Sequence, residues 1–255
     1  MICIEFYSDY IKLFHRARKK ISYQKFEISD NSNIKQIIVG FLENNRIKEK
    51  NASIIIKSYK VFKKFEIYKS LSDNEIKTLV ANNIGNFFPI DINGYVTDYE
   101  TLYKEKKTTG IMVVAVAKQI ITTYLNLLEG IGLNCTHIDF YQNVVSKYIS
   151  KYFKTKTLAV FKMSDKHSFI YISNGKVLAM RDIFLDFSKD AVLMLNQGLG
   201  FFSDEIYSID NILLLDDLPN LEQALNIFTN ANFYNKERLS DFLSIDIDML
   251  AFQKL

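Results

Sequence analysis

The sequence has few of the features that mark linker-rich, disulfide-bonded or membrane-spanning chains. Only 2 of its 255 residues are Pro and 9 are Gly, so we expect no long flexible linker. Its 2 cysteines, Cys3 and Cys135, both lie in predicted strands, which indicates reduced core thiols of a cytosolic protein. The longest apolar run, 111–117, is far shorter than the ~20 residues that a membrane helix needs. Glu5 and Asp9 interrupt the N-terminal residues, which predicts that no secretory signal is present.

An excess of one charge is absent as well. The formal net charge is +3, and Lys is interspersed with Asp and Glu, so the basic face of a nucleic-acid-binding protein is not expected. A basic run at 16–20, R-A-R-K-K, is typical either of a patch for phosphate or acidic lipid or of a solvated hairpin end. We favour the hairpin end.

Motifs of well-known chemistry are missing too. The sequence has no P-loop, no G-x-S-x-G and no zinc-ligand spacing. His137 and Asp139 share one face of a predicted strand, where a metal site is conceivable, but we favour a paired histidine at a strand end. Five further carboxylates lack the spacing of a calcium loop, so we interpret them as solvated: Asp210, Asp216, Asp217, Asp246 and Asp248.

The chain does contain ample core material, and its pattern repeats. Hydrophobic residues make up 48% of the sequence, which is typical of a globular protein. Strands are predicted at 1–7, 10–15, 21–28, 51–58, 61–68, 156–162, 167–173, 176–183 and 212–215. Asn174-Gly175 predicts a type I′ turn between two of these strands, because both central residues need positive φ. Helices are predicted at 34–42, 144–153, 188–207 and 218–229.

The stretch from Leu71 to Phe140 organises the rest of the chain. Ser72 is a good helix N-cap and Glu75 follows three residues later, which predicts a capping box. Pro89 is expected to end that helix. The stretch then continues with a strand-like segment, the apolar run at 111–117, a second amphipathic helix from Lys118 and a strand at 135–140.

Several short motifs of this stretch occur in a specific order. They are S-D-N-E at 72–75, F-F-P-I at 87–90, D-Y at 98–99, V-A-V-A-K at 114–118, G-L at 132–133 and I-D at 138–139. In order and spacing, residues 50–140 resemble the type IV pilus assembly protein PilM family, whose members are actin-like relatives of the cell-division protein FtsA. The resemblance is weaker, but traceable, over the rest of the chain.

The resemblance implies an α/β chain with an actin-like, ribonuclease-H-like fold, in which two related lobes face a cleft. It implies an α+β subdomain inserted into the first lobe, and the short spacing after residue 188 predicts that the second lobe's small subdomain is missing. The expected division is a first lobe of 1–25 plus 138–155, an inserted subdomain of 26–137 and a second lobe of 156–255. The repeated order of strands from Met1 and from Lys156 agrees with two related lobes.

Actin-like proteins hold ATP in the cleft, on Gly-containing turns that let backbone N–H groups approach phosphate. The family's first turn resembles D-I-G-S-S-S-V-K, but residues 5–12 read E-F-Y-S-D-Y-I-K. The family's second turn resembles D-I-G, but 162–164 read K-M-S, and the adenosine turn at 215–219 has no Gly. Added carboxylates disfavour phosphate by Coulomb repulsion. The candidate residues of this degenerate site are Ser8, Asp9, Lys12, Lys162, Ser164, Asp165, Asp216 and Asp217.

The resemblance also implies a partner, the membrane protein PilN. Its short cytoplasmic N-terminal segment would dock as an extended peptide between the first lobe and the inserted subdomain. The residues that we expect to line this groove are Phe87, Phe88, Pro89, Ile90, Tyr95 and Tyr99. The same positions form an ordinary helix-to-sheet junction, so core packing is the competing interpretation.

These observations lead to one hypothesis and two alternatives. The hypothesis is a scaffold of a type IV pilus machine, without ATP hydrolysis, cofactor or metal, at the cytoplasmic face of the inner membrane and bound to it only through partners. One alternative is an ATP-binding enzyme, in which Lys12, Ser8 and Ser164 contact phosphates and Asp165 holds Mg²⁺. The other is an adaptor of a different membrane complex, such as a division assembly.

Overall fold

Thirteen strands and five helices form the part of the chain that the computed structural model describes, namely residues 2–17, 20–28, 33–58, 61–88, 90–163, 166–184, 209–217, 221 and 231–243. The strands are β1 (Ile2–Phe6), β2 (Tyr10–Ala17), β3 (Lys20–Glu27), β4 (Asn51–Ile56), β5 (Val61–Lys69), β6 (Tyr95–Lys104), β7 (Thr108–Ala117), β8 (Asn134–Phe140), β9 (Thr157–Met163), β10 (Lys166–Ser173), β11 (Lys176–Phe184), β12 (Asn211–Leu214) and β13 (Asn232–Tyr234). The helices are α1 (Ile34–Asn44), α2 (Asp73–Phe87), α3 (Lys118–Glu129), α4 (Tyr141–Tyr152) and α5 (Lys236–Leu243).

Two five-stranded sheets have the same arrangement. The first has the order β3-β2-β1-β4-β8 and the second has the order β11-β10-β9-β12-β13. In each sheet the first three strands in chain order pair antiparallel, and the last two run parallel to the first. The predicted internal repeat is therefore present in the structure.

A third sheet belongs to the segment inserted between β4 and α3. It has the order β5-β7-β6, is antiparallel, and packs against α2 around Ile76, Val80 and Ile111. The capping box is confirmed, because Ser72 Oγ accepts a hydrogen bond from Glu75 N at 3.3 Å and Glu75 Oε2 accepts one from Ser72 N at 2.7 Å.

The predicted bounds of the inserted subdomain, 26–137, are too wide. β4 pairs with β1 in the first sheet, and β8 pairs with β4 from Asn134 onward. The residues of the third sheet and α2 span only 61–117. A short apolar strand has the same sequence pattern in either sheet, so the pattern could not assign β4 to its partner. β4 has a neighbouring strand on both sides, and its residues 52–56 are all buried.

Helix α4 lies between the two large sheets. Its buried side chains pack on Cys3, Phe14 and Ile55 of the first sheet, and on strands β9 and β10 of the second. Eight residues of α4 are buried: Tyr141, Gln142, Asn143, Val144, Val145, Ser146, Tyr148 and Ile149. One shared core therefore fixes how the two lobes face each other. The opposite face of the first sheet packs on α1 and α3.

Other predictions have different outcomes in the second lobe. Asn174 and Gly175 have φ values of 53° and 70°, so both adopt the positive φ that the predicted turn requires. The predicted helix at 188–207 lies outside the described residues, as does most of the one at 218–229, and so does the expected absence of a small subdomain. Within the described ranges, no helix is long and apolar enough to cross a membrane.

Candidate functional site

Lys57 is the central residue of the cleft between the two lobes. It directly follows β4, and its backbone N donates to the carbonyl of Phe6 at 2.9 Å, which fixes its place at the end of the first sheet. Its side chain is only 2% exposed. The ammonium Nζ lies 3.5 Å from Asp216 Oδ2, which belongs to the second lobe, and donates to Tyr10 Oη at 3.4 Å. The cleft is therefore bridged by a lysine of the first lobe.

Aromatic rings surround the same ammonium. Lys57 Nζ lies 5.0 Å from the ring centre of Tyr7, 4.5 Å from that of Tyr141 and 6.0 Å from that of Phe161. An ammonium within about 6 Å of an aromatic face is attracted by the ring's electron-rich surface. Burying a lysine costs free energy unless its charge is paired, so the rings and Asp216 together compensate for the lost water.

Asp216 is held in place by the second lobe itself. It follows β12, and its Oδ2 accepts a hydrogen bond from the backbone N of Lys162 at 2.7 Å. On the other side of Lys57, burial raises the pKa of Tyr10 far above its usual range, and the nearby Glu5 carboxylate raises it further. Tyr10 is therefore a neutral phenol in the folded protein.

The proposed nucleotide residues do not all meet in this cleft. Ser8 and Asp9 are exposed at the tip of the β1–β2 turn, where Ser8 Oγ donates to Asp9 Oδ1 at 3.4 Å. Lys12 is buried, with its Nζ 3.9 Å from Glu5 Oε1 in the facing position of β1. Lys162 is exposed.

Among the candidates that the structure describes, Asp216 is the one that contacts the ammonium of Lys57. Asp217 is exposed, and Ser164 and Asp165 lie outside the described residues. Sequence analysis missed Lys57, although a signal was present: a lysine ends the apolar run of β4, I-I-I-K, at the strand end that faces the cleft.

A second opening lies between the first lobe and the inserted segment. We call it the groove; its volume is about 520 Å³, and it lies between β6, an edge strand of the third sheet, and β8, an edge strand of the first sheet. Its apolar lining is formed by Ile54, Ile55, Met112, Val114, Ile138, Phe140 and Val144. Its polar lining is formed by Ser53, Asp98, Tyr99, Glu100, His137, Asp139, Asn143 and Lys147.

The polar side chains of the groove are partly paired with each other. Glu100 forms an ion pair with Lys147 and accepts a hydrogen bond from Asn143 Nδ2. Asn143 Nδ2 also donates to Asp139 Oδ1 at 2.6 Å, and His137 Nε2 lies 3.7 Å from Asp139 Oδ2. This last contact agrees with the predicted pairing of His137. The described residues contain no group of three or more His, Cys, Asp or Glu placed to hold a metal ion.

The expected partner-binding residues lie mostly elsewhere. Tyr99 lines the groove. Phe87 and Phe88 are buried in the core between α2 and the third sheet, and Ile90 and Tyr95 pack on that core. Pro89 lies outside the described residues. The structure therefore gives Phe87 and Phe88 the packing role that sequence analysis had weighed against binding.

Solved structures of similar overall fold are known. A chain of the PilM–PilN type IV pilus biogenesis complex is similar over 98% of this chain and 95% of its own length, with a TM-score of 0.73 and 15% identity. A Bacteroides thetaiotaomicron protein with an actin-like ATPase fold and unknown function is similar over 100% and 95%, with a TM-score of 0.62 and 14% identity. The fold is actin-like. The predicted fold class is thereby confirmed.

The cytoplasmic domain of EpsL, an inner membrane component of the type II secretion system of Vibrio cholerae, has the same actin-like fold. It is similar over 99% of this chain and 93% of its own length, with a TM-score of 0.59 and 8% identity. No protein-family profile matches the sequence. No curated protein matches it either. Identities of 8–15% establish the fold and leave the function to be argued from the residues.

Within the described residues, the actin-like cleft is occupied by side chains of the chain itself. The space between the lobes contains the Lys57 ammonium and three aromatic rings. The cation that could face a phosphate is already paired with Asp216, and Tyr7 stands where the family has a Gly. The buried carboxylate of Glu5 adds negative charge beside the first turn. Phosphate would have to displace the Lys57–Asp216 pair, and the aromatic rings would obstruct it sterically.

Proposed function

We propose that this chain is an assembly scaffold of a type IV pilus or related secretion machine, which binds an extended segment of a membrane-protein partner in the groove. The observation that carries the proposal is the groove itself. It combines an apolar lining with edge strands on both sides, β6 and β8, and it lies on the same fold as a chain of the PilM–PilN complex.

Edge strands favour extended partners for a physical reason. A strand at the edge of a sheet has backbone N–H and C=O groups that can pair with another chain. Apolar side chains of the partner would then contact Tyr99, Ile138 and Phe140, which line the groove and are partly exposed. This proposal moves the docking surface from the Phe87–Phe88 region to the residues that line the groove.

The proposal includes a role without ATP hydrolysis. It is supported by the Lys57 side chain and its rings, which take up the cleft, and by the Gly-free turns of the sequence. It also includes a cytoplasmic location, with the chain at the membrane only through its partner. The domain of EpsL that shares the fold is cytoplasmic and belongs to an inner membrane component, which supports that placement.

The experiment is calorimetric titration of the chain with the cytoplasmic segment of the PilN-like protein from the same cell. His137 is exposed on β8 and lines the groove, so His137→Trp places a bulky ring in the opening and should weaken binding at least about tenfold. Tryptophan is compatible with a strand, so the variant should stay folded.

The matched control is Thr136→Trp. Thr136 is the adjacent exposed residue of β8 and does not line the groove, so the wild-type affinity should be retained. Equal affinity of the wild type and a folded His137→Trp variant would contradict the docking surface. Since an EpsL domain shares the fold, partner segments from a type II secretion system should be titrated in parallel. Binding of those segments alone would favour the secretion machine over the pilus.

A further inference from the structure

The groove carries more negative than positive charge. Its lining includes the carboxylates of Asp98, Glu100 and Asp139, but Lys147 is the one Lys or Arg among the described residues that line it. Lys147 is already ion-paired with Glu100. With His137 neutral, the lining therefore has a net charge of −2. A ligand that brings only apolar groups into this groove would remove water from carboxylates without replacing it.

An amide in the groove is also incompletely paired. Asn143 is 4% exposed, lines the groove from α4, and directs its Nδ2 to the carboxylates of Glu100 and Asp139. Its Oδ1 accepts no hydrogen bond from the residues that the structure describes. Buried polar atoms normally have a partner, so this oxygen indicates that a donor belongs at the groove.

Asp98 is the carboxylate that is most open to a ligand. It is exposed on β6, and within the described part of the chain its side chain accepts one hydrogen bond, from the adjacent Tyr99 N at 2.8 Å. No ion pair to it is present among the described residues, whereas Glu100 has Lys147 and Asp139 has His137 and Asn143. Asp98 and Asn143 thus supply acceptors to the groove from two different elements, β6 and α4.

We propose that the segment bound in the groove inserts a basic side chain, arginine or lysine. This side chain would lie between Asp98 of β6 and the pair formed by Asp139 of β8 and Asn143 of α4. The inference rests on the proposed function and adds the chemistry of the partner. The basic side chain would donate hydrogen bonds to acceptors that the chain leaves incompletely used. Hydrogen bonds to charged groups are stronger than neutral ones, so this contact would select partners by charge.

The test begins with a library of octapeptides displayed on phage. Peptides are selected on the full chain and counter-selected on His137→Trp, so those that remain bind in the groove. We expect one position of these peptides to be Arg or Lys. Replacing an arginine by citrulline, which keeps the shape and removes the charge, or a lysine by acetyl-lysine, which removes the charge, should weaken binding about tenfold.

Substitutions in the protein, combined with the charged and neutral peptides, form a double-mutant cycle. Asp98→Asn keeps the shape of an exposed side chain, so it should fold, and it should weaken the charged peptide about tenfold while leaving the citrulline or acetyl-lysine peptide unchanged. Asp73→Asn is the matched control, since Asp73 is exposed on α2 of the same inserted segment and does not line the groove.

The outcomes separate this inference from the proposed function. Groove-directed peptides without a basic residue, or equal affinity of the charged and neutral peptides, would overturn the inference and leave the docking surface in place. If the counter-selection on His137→Trp removes every peptide that binds the wild type, the docking surface itself fails and the inference fails with it.

Discussion

The cleft and the groove lie on either side of the same helix but treat charge in opposite ways. In the cleft, the chain supplies both members of an ion pair, Lys57 and Asp216, and surrounds the ammonium with rings. In the groove, it supplies three carboxylates and one ammonium. A site whose charges are satisfied internally has little to gain from a ligand, whereas a site with surplus carboxylates gains from a cationic one. The comparison agrees with the proposed function, in which the groove rather than the cleft binds a ligand.

The largest expected effect on stability comes from removing the charged partner of Lys57 in the cleft. Asp216→Asn leaves the 2%-exposed ammonium of Lys57 without its counter-charge. We therefore expect the free energy of unfolding to fall by about 2–3 kcal/mol. This is less than for a fully buried ion pair, because Asp216 is partly exposed. Denaturant unfolding measures it. Lys57→Met keeps an unbranched chain among the rings and removes the charge, so it should cost less, and in the double variant it should restore most of the loss.

Asp217→Asn is the control for that experiment. Asp217 is the exposed neighbour of Asp216, so its substitution should change the unfolding free energy by less than about 0.5 kcal/mol. Equal effects at 216 and 217 would show that Lys57 does not depend on its partner across the cleft.

A smaller effect is expected at alkaline pH. Burial raises the pKa of Tyr10, so the folded protein keeps the phenol proton at a pH where the unfolded chain loses it. The contribution of Tyr10 to stability is therefore complete below the unfolded pKa of about 10 and is lost above it, by about 1.4 kcal/mol per pH unit. Between pH 10 and about pH 11, the wild type should lose about 1 kcal/mol more stability than Tyr10→Phe, because the unfolded tyrosine is already half ionised at its pKa. Parallel pH profiles of the two proteins would contradict the neutral phenol in the cleft.

The smallest expected effect is that of magnesium ATP. A ligand at 100 times its dissociation constant would add about 2.7 kcal/mol to the folded state and would move the melting temperature by several degrees. We expect no shift for the wild type at millimolar Mg-ATP, because Lys57 and its rings take up the cleft. A groove-directed peptide in the same assay is the positive control. A clear shift with ATP would put the ATP-binding alternative first.

Local elements were predictable because their signals are local. Ser72 and Glu75 announce the start of α2, and Asn174-Gly175 announces a turn, since each pair acts through backbone groups within a few residues. The degenerate turns also indicated an altered cleft. The order of helix and strand motifs further allowed the actin-like fold to be predicted from a resemblance.

The residues that form the cleft and the groove were harder to predict from the sequence, because both sites depend on contacts between residues that are distant along the chain. Lys57 and Asp216 are 159 positions apart, so neither could be recognised as the other's partner. Phe87 and Phe88 are apolar and adjacent to a helix end, a pattern that fits a core and a binding groove equally well. The groove needed β6 and β8 from two different sheets, and the predicted boundary after residue 137 divided β8 between the inserted subdomain and the first lobe.

The lysine in the cleft has a consequence for timing. A nucleotide is an exchangeable ligand. Its binding, hydrolysis and release can change the state of an actin-like protein with time. Lys57 is part of the chain, so its ammonium is present in the cleft at a fixed, high effective concentration. It can be neither exchanged nor hydrolysed. The Lys57–Asp216 contact between the lobes is then formed within the chain itself. With the proposed function, such a protein would dissociate from its assembly only as partner concentrations and affinities allow. It would act as a static scaffold rather than as a protein that cycles with ATP hydrolysis.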